Sequence, residues 1–384
     1  MIPWQTPGVP RKSHDVSASQ TFPAIKPSQS SPSLKALAGH LGLSTAAVSR
    51  VLNGVPAARS IPAATQNRIF AAAKALNYRP NLSARSLRNR RSQTIGVLVP
   101  EVSEGYATLV LSGIERHLLQ AGYLHFLVSH GHRPEMIDRA QSLLFDRSVE
   151  GIIAIDTLLP HRCAVPTVTV SGHHEPEGIT NIVLNHRQAA ELALTHLHSL
   201  GHRRIAFLKG QPFSSDSEAR WRAIRHAASR LAIEISPGLV AQLEGDLPTH
   251  EPGYLATRRL LASGHPFTGI FAFNDISAMG AIRALREAGL RVPADVSVVG
   301  FDDVQSAAFN NPALTTIRQP LHDMGVLAAT TVLANINAET AAFAQLHPPA
   351  SRLIVDPDLV IRESTAAAPR IPARRLRSPA PTTA

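Results

Sequence analysis

From Thr94 to Phe301 the chain repeats one unit, a short aliphatic run followed by ten to fifteen residues with helical spacing. Ile95–Val99, Leu124–Val128, Gly151–Ile155, Val165–Val170 and Ile182–Leu184 are the strands of a first series, with a helix over about 109–121 after its first strand. A second series opens with a helix over about 189–200. It continues with strands Ile205–Leu208, Val240–Leu243, Gly269–Phe273 and Ser297–Phe301, separated by helices over about 217–231, 254–263 and 277–288. Aliphatic strands joined by helical crossovers specify parallel sheets covered on both faces, with right-handed connections. Two such series predict a body of two doubly wound α/β lobes.

Open parallel sheets bind ligands beyond the carboxyl ends of their strands, and two facing lobes make that region a cleft. The residues just after each strand are therefore the candidates. They are Glu101, Ser103 and Tyr106, then Ser171, then Ser214, Ser215 and Arg220, then Asn274 and Asp275, and last Asp302. Carboxylates, amides, hydroxyls and one guanidinium suit a polyhydroxylated ligand, whose hydroxyls donate to Asp and accept from Arg and Asn. Metal binding and catalysis find less support. The closely spaced histidines His130/His132, His173/His174 and His196/His198 do not share a helix face, and no cysteine or carboxylate completes a tetrahedral set, so no cofactor or metal is expected. There is no nucleophile elbow, phosphate loop or Gly-x-Gly-x-x-Gly. Taken alone, the body suits a solute receptor, or a carbohydrate-active enzyme in which Glu101 and Asp302 face each other.

The amino-terminal quarter decides between these readings. Leu34, Leu37, Ala38 and Leu41 form one apolar helical stripe behind Ser33 as N-cap, and Gly42 permits a sharp turn. Ser44 caps a second helix that buries Val48, Val51 and Leu52. Ser44, Thr45, Ala46, Ser49, Arg50 and Asn53 are left on or beside its outer face, with Arg50 suited to bidentate contact with guanine in a major groove. A third helix over Ala63–Asn77 turns Ile69, Ala72, Ala73 and Leu76 inward, and Pro80 ends it. Between Ser33 and Thr94 stand ten Lys or Arg and no Asp or Glu. A one-signed segment of that length implies a polyanionic partner. The charge is polarised along the chain: residues 1–92 carry thirteen Lys or Arg against Asp15 alone, whereas residues 93–365 carry twenty-one against twenty-seven acids.

These residues also carry a resemblance. Ser-Thr-Ala-Ala-Val-Ser-Arg-Val-Leu-Asn-Gly at 44–54, Asn-Tyr-Arg-Pro-Asn at 77–81 and Ala-Arg-Ser-Leu-Arg at 84–88 resemble the head and hinge of the lactose/galactose-repressor (LacI/GalR) family of bacterial transcription regulators. In the body, Leu200-Gly-His-Arg-Arg-Ile-Ala-Phe207, Phe273-Asn-Asp275 and Gly300-Phe-Asp-Asp-Val304 continue it to about Ser364. The resemblance implies a helix-turn-helix head on a type-I periplasmic-binding-protein-like body, and a homodimeric repressor that reads double-stranded operator DNA under control of a small effector, a sugar or sugar derivative. It implies operator contacts by Ala84 and Arg85, a minor-groove wedge at Leu87, and effector contacts at Arg220, Asn274 and Asp302. Two departures fall on the first lobe: Glu104-Gly-Tyr106 stands where the family has Asn-Pro-Phe, and Ser171-Gly-His-His174 where an aspartate commonly closes the fourth strand.

The expected organisation follows. Residues 1–32, rich in Pro, Ser and Thr, are a disordered extension; 33–79 are the head and 80–93 the hinge; 94–365 are the body; and 366–384 are a disordered tail without heptads. The first lobe takes about 94–184 and 321–348, the second about 185–319 and 349–365. One cysteine, Cys163, and the lack of an export signal or of an apolar run near the ~18 residues a membrane span needs predict a cytoplasmic protein with no membrane partner.

Overall fold

The structure, a computed structural model, describes residues 32–78, 91–103, 105–159, 163–172, 178–245, 249–340 and 352–369. The chain divides into two compact units, one ending at Asn89 and one beginning at Arg90.

The described residues of the first unit form three helices, α1 (Leu34–Leu41), α2 (Thr45–Leu52) and α3 (Ala63–Ala75), with a 3-10 turn at Pro56–Ser60. The expected caps are in place: Ser33 Oγ accepts from Ala36 N at 3.1 Å, and Ser44 Oγ accepts from Ala47 N at 3.2 Å. Gly42 takes φ 65° at the end of α1, where its missing Cβ avoids the left-handed penalty. Leu37, Ala38, Val48, Val51, Ala58 and Ile69 form the core, with Leu34, Leu41, Leu52, Ala72, Ala73 and Leu76 packed around it. Each of the larger aliphatic residues contributes ~1.5–3 kcal/mol by leaving water. The 3-10 turn has no signature in the apolar spacing. It is fastened instead by Gln66 Nε2, which donates to Ala58 O at 3.1 Å and Ile61 O at 2.8 Å.

The second unit holds two six-stranded sheets. The first has strand order β11-β5-β4-β3-β1-β2, from β1 (Thr94–Val99), β2 (Leu124–Ser129), β3 (Gly151–Ile155), β4 (Thr167–Val170), β5 (Ile179–Leu184) and β11 (Arg352–Val355), all parallel. The second has order β12-β10-β9-β8-β6-β7, from β6 (Ile205–Lys209), β7 (Val240–Gln242), β8 (Gly269–Phe271), β9 (Ser297–Asp302), β10 (Thr315–Arg318) and β12 (Asp358–Val360), with β12 antiparallel on the edge. In the first lobe α4 (Tyr106–Gln120) and α11 (Leu321–Thr340) cover one face and α5 (Pro134–Asp146) the other. In the second, α8 (Glu251–Ala262) and α9 (Asp275–Glu287) cover one face, and α6 (His186–Ser199) and α7 (Ser215–Arg230) the other. A short α10 (Gln305–Phe309) follows β9. None of the described helices is long and apolar enough to cross a membrane.

Each lobe crosses one helix pair through glycines. A Cβ on Gly113 of α4 would stand 2.0 Å from His322 O of α11, and one on Gly325 would stand 2.0 Å from Val110 O. The second lobe repeats the device, with a Cβ on Gly253 2.1 Å from Ser277 O and one on Gly280 2.0 Å from His250 O. Backbone therefore packs on backbone at both crossings.

Three expectations need correction. The segment 349–365 does not belong to the second lobe throughout: Arg352–Val355 pairs in parallel with Asn181–Leu184 and extends the first sheet, and the chain crosses over only afterwards. Strand β10 was not foreseen, because Thr315–Arg318 is too short and too polar to declare itself in apolar spacing. The tail does not begin at 366. Ala366 N donates to Ser297 Oγ at 3.0 Å and Ala368 N to Leu200 O at 2.8 Å, so backbone pairing holds the chain on the second lobe. The extension up to Ser31, residues 79–90 with Ala84, Arg85 and Leu87 of the expected hinge, and the tail from Arg370 lie outside the described residues.

Candidate functional site

The head presents a small surface. Thr45, Ala46 and Arg50 are exposed on α2, while Ser49 and Asn53 are half-buried. Asn53 Nδ2 donates to Ser49 O at 2.7 Å and to Ser49 Oγ at 3.1 Å, so this amide finishes the helix as well as bordering its outer face. Ser44, assigned to the interface, also caps the helix with its hydroxyl.

In the second unit a cleft of about 920 Å³, mouth included, lies between the lobes. The first lobe contributes Glu101, Ser103, Tyr106, His132 and Asp156 to its walls; the second contributes Phe213, Asp216, Arg220, Phe273, Asn274 and Asp302 among others. Seven of the ten candidate residues therefore line one cavity; Ser215 and Asp275 are not among its walls, and neither is Ser171, which is fully buried. Its Oγ accepts from Tyr106 Oη at 2.6 Å and its carbonyl accepts from Ser215 Oγ, so it supports the wall from behind.

The second-lobe wall is rigid for local reasons. Asn274 caps α9 with Oδ1 accepting from Ser277 N at 2.9 Å, which leaves its NH2 group as what it offers the cleft. Arg220, 4% exposed, lies with its guanidinium 3.6 Å from the Phe301 ring centre and 4.4 Å from that of Phe273. It donates through Nη2 to Asp216 at 3.0 Å and through Nη1 to Phe273 O. Asp302 is turned inward by a backbone of φ 109°, followed by Asp303 at φ 59°. That costly turn persists because its surroundings fix it: Asp303 pairs with Arg318 at 2.7 Å and Arg362 at 2.6 Å, and Val304 N donates to Asp275 at 2.9 Å. Asp275 is accordingly a support for this turn and not a cleft residue. Buried without a counter-ion and close to Asp302, its carboxyl is held well above the usual range.

Sequence reasoning missed Asp156, His132, Phe213 and Asp216. Asp156 follows β3 with φ 41° and reaches across the cleft, where Oδ1 accepts from Ser215 N at 2.9 Å and Ser215 Oγ at 2.6 Å at the start of α7. A carboxylate on a helix amino end is well placed electrostatically. Burial, then repulsion by Asp216, nonetheless pushes its pKa up to about 7. Burial likewise pushes Asp302 up to about 7, offset in part by Arg220. His132 pairs with Glu101 at 2.8 Å and stacks on Phe213 of the opposite lobe, ring centres 3.9 Å apart. Asp156 was legible as the residue directly after a strand; the His132–Phe213 contact had no signal in one chain's pattern. No group of three or more His, Cys, Asp or Glu among the described residues has metal-binding geometry.

Comparison with known proteins adds an independent finding. The family model for bacterial regulatory proteins of the lacI family matches residues 33–81, and that for a periplasmic binding protein-like domain matches 194–365. The chain is 31% identical over 340 residues to the HTH-type transcriptional repressor PurR of Haemophilus influenzae, covering 86% of this chain and 98% of that one. It is 34% identical over 349 residues to the HTH-type transcriptional regulator MalR of Streptomyces coelicolor, covering 87% and 96%. Among solved structures it is similar to a Lac repressor dimer bound to operator and an anti-inducer, with TM-score 0.76, 28% identity, and coverage of 88% of this chain and 99% of that one. This chain belongs to the LacI family of bacterial DNA-binding transcriptional regulators.

Proposed function

We propose that the protein is a cytoplasmic, homodimeric repressor that reads a near-palindromic operator through α2 and changes its operator affinity when a small polyhydroxylated effector occupies the cleft. The observation that carries this reading is the pairing, on one chain, of an acid-free helical head exposing Thr45, Ala46 and Arg50 with a cleft lined by Arg220, Asn274 and Asp302. Thr45, Ala46, Ser49 and Arg50 face base edges, Ser44 and Asn53 border them, and Ala84, Arg85 and Leu87 act in the minor groove at the operator centre. Structures similar to this one include a CelR–cellobiose complex and an Enterococcus faecium LacI-family regulator with bound ribose, which favours a carbohydrate.

The dimer forms through the first lobe. Its edge strand β2 exposes Leu124, Phe126 and Leu127, flanked by exposed Leu119 of α4 and Leu143 of α5. An apolar edge strand left open invites pairing, and a twofold axis beside it closes the assembly. Effector binding changes lobe closure and thereby the spacing of the two heads, coupling the sites by a typical ~1–3 kcal/mol.

Selection of genomic fragments by purified protein, followed by titration of the selected duplex at rising salt, tests the reading. The expected result is a fragment preferred over random duplex, with affinity falling steeply as salt rises. Failure to prefer any fragment, with and without a sugar panel, overturns it.

A further inference from the structure

The charge in the cleft is not what a neutral sugar requires. Glu101, Asp156, Asp216 and Asp302 line it, and among its described lining residues Arg220 alone is an Arg or Lys. Arg220 is committed to Asp216 at 3.0 Å, and His132 is the group beside Glu101. Asp156 and Asp302 have no basic side chain in hydrogen-bond contact. Gln319 donates to Asp302 Oδ1 at 2.6 Å and no described donor reaches Oδ2, although the residue is only 6% exposed and lines the cavity. Asp156 is similar: Oδ1 takes both good bonds from Ser215, and Oδ2 has only Ser214 Oγ at 3.4 Å.

Building on the effector-controlled reading above, we infer that this cleft selects a ligand carrying a basic nitrogen beside its hydroxyl groups, an amino- or imino-polyol, and rejects phosphorylated and carboxylated sugars. Carboxylates removed from water are costly unless paired, and each additional anion brought among them is costlier still. A neutral polyol supplies donors and leaves the charge in place. An ammonium supplies three donors together with the missing charge. Burial, with repulsion among these acids, holds Asp156 and Asp302 near 7, and the nearby His132 and Arg220 offset only part of that rise.

The test is calorimetric titration of the full-length protein near neutral pH and moderate salt with matched triplets: glucose, glucosamine and glucose 6-phosphate; galactose, galactosamine and galactose 6-phosphate; ribose, 1-amino-1-deoxyribitol and ribose 5-phosphate. In at least one triplet the amino member is expected to bind about tenfold or more tighter than its parent, equal to ~1.4 kcal/mol, with the phosphate showing no heat. Glu101→Gln and Asp302→Asn should each narrow the gap between amino and neutral members, and the first lies at the partly exposed edge of the site, where folding is not at stake. Parity of amino and neutral members, or binding of any phosphate, overturns the inference. So does silence across all triplets; salt-sensitive operator binding by the same preparation then shows that the regulator reading itself stands, and its absence shows that reading has failed too.

Discussion

Replacing Asp302 with asparagine should make the unliganded body more stable, but only above a definite pH. The carboxyl is 6% exposed, and burial is the main cause of its rise from 3.8 to about 7. Repulsion from Asp216 and Asp156 adds to that rise, while Arg220 and the Gln319 bond oppose it. The folded state therefore binds a proton that the unfolded chain has already released between about pH 4 and pH 7. The protonated side chain is well tolerated below pH 4, and stability is lost progressively as pH rises from about 4 to 7 and levels off above that. The difference between 3.8 and about 7 corresponds to ~4 kcal/mol. Asparagine keeps the Oδ1 acceptor for Gln319 and never ionises, so it imitates the protonated acid. Denaturant unfolding of both proteins from pH 4 to pH 8.5 should show little difference at pH 4 and a growing one up to about pH 7. The variant should gain roughly 2–4 kcal/mol by pH 8, since the linkage integral saturates above the folded pKa. A difference that does not change with pH, or a variant less stable at pH 8, would refute the placement of Asp302 as a buried acid whose charge Arg220 offsets only in part.

Arg50→Ala should cost ~1–3 kcal/mol of operator affinity and relax discrimination at one base pair per half-site, read by titration of single-base operator variants. Gly113→Ala places a Cβ 2.0 Å from His322 O, where two backbones meet, so unfolding free energy should fall by ~1–3 kcal/mol or more in a denaturant titration. Leu124→Asp with Phe126→Asp puts charge on the exposed edge of the first sheet, and sedimentation should show the dimer giving way to monomer at micromolar protein. Gln319→Leu removes the donor to Asp302, and the effector-induced change in operator affinity should shrink by ~0.5–2 kcal/mol while operator binding without effector persists.

The parts legible in the sequence are those where one physical rule acts alone. Ser33 and Ser44 declared two caps, the spacing of Leu37, Val48 and Val51 declared the head core, and the aliphatic runs declared nine of the strands within a few residues. The rule that ligands sit beyond strand ends found Glu101, Asn274 and Asp302, and gave Ser171 for the same reason; it failed there because the carbonyl and hydroxyl of Ser171 are consumed by Ser215 and Tyr106. What could not be read depends on contacts between distant segments. Thr315–Arg318 becomes a strand because β9 offers an open edge, Arg352–Val355 because β5 does, and His132 enters the cleft because Phe213 arrives from the other lobe.

The same kind of distant contact ties the cleft to the passages between the lobes. The chain passes between lobes three times, at Asn185, at Gln319–Pro320 and at Asp356–Pro357. Two of these passages are tied together, since Asn185 N donates to Val355 O at 2.8 Å and Asn185 Nδ2 to Asp356 at 2.9 Å. The third holds Gln319, 3% exposed, whose amide nitrogen is spent on Asp302 and whose Oε1 has no hydrogen-bond partner among the described residues. An unanswered buried acceptor costs ~1–3 kcal/mol, which a rotation of the side chain or of the passage itself could recover. A ligand that donates to Asp302 competes for the carboxylate that holds Gln319 in this unfavourable pose. The link from cleft to inter-lobe passage is therefore one hydrogen bond long, and α11, which begins at the next residue but one, leads from that passage to the glycine crossing with α4 in the first lobe.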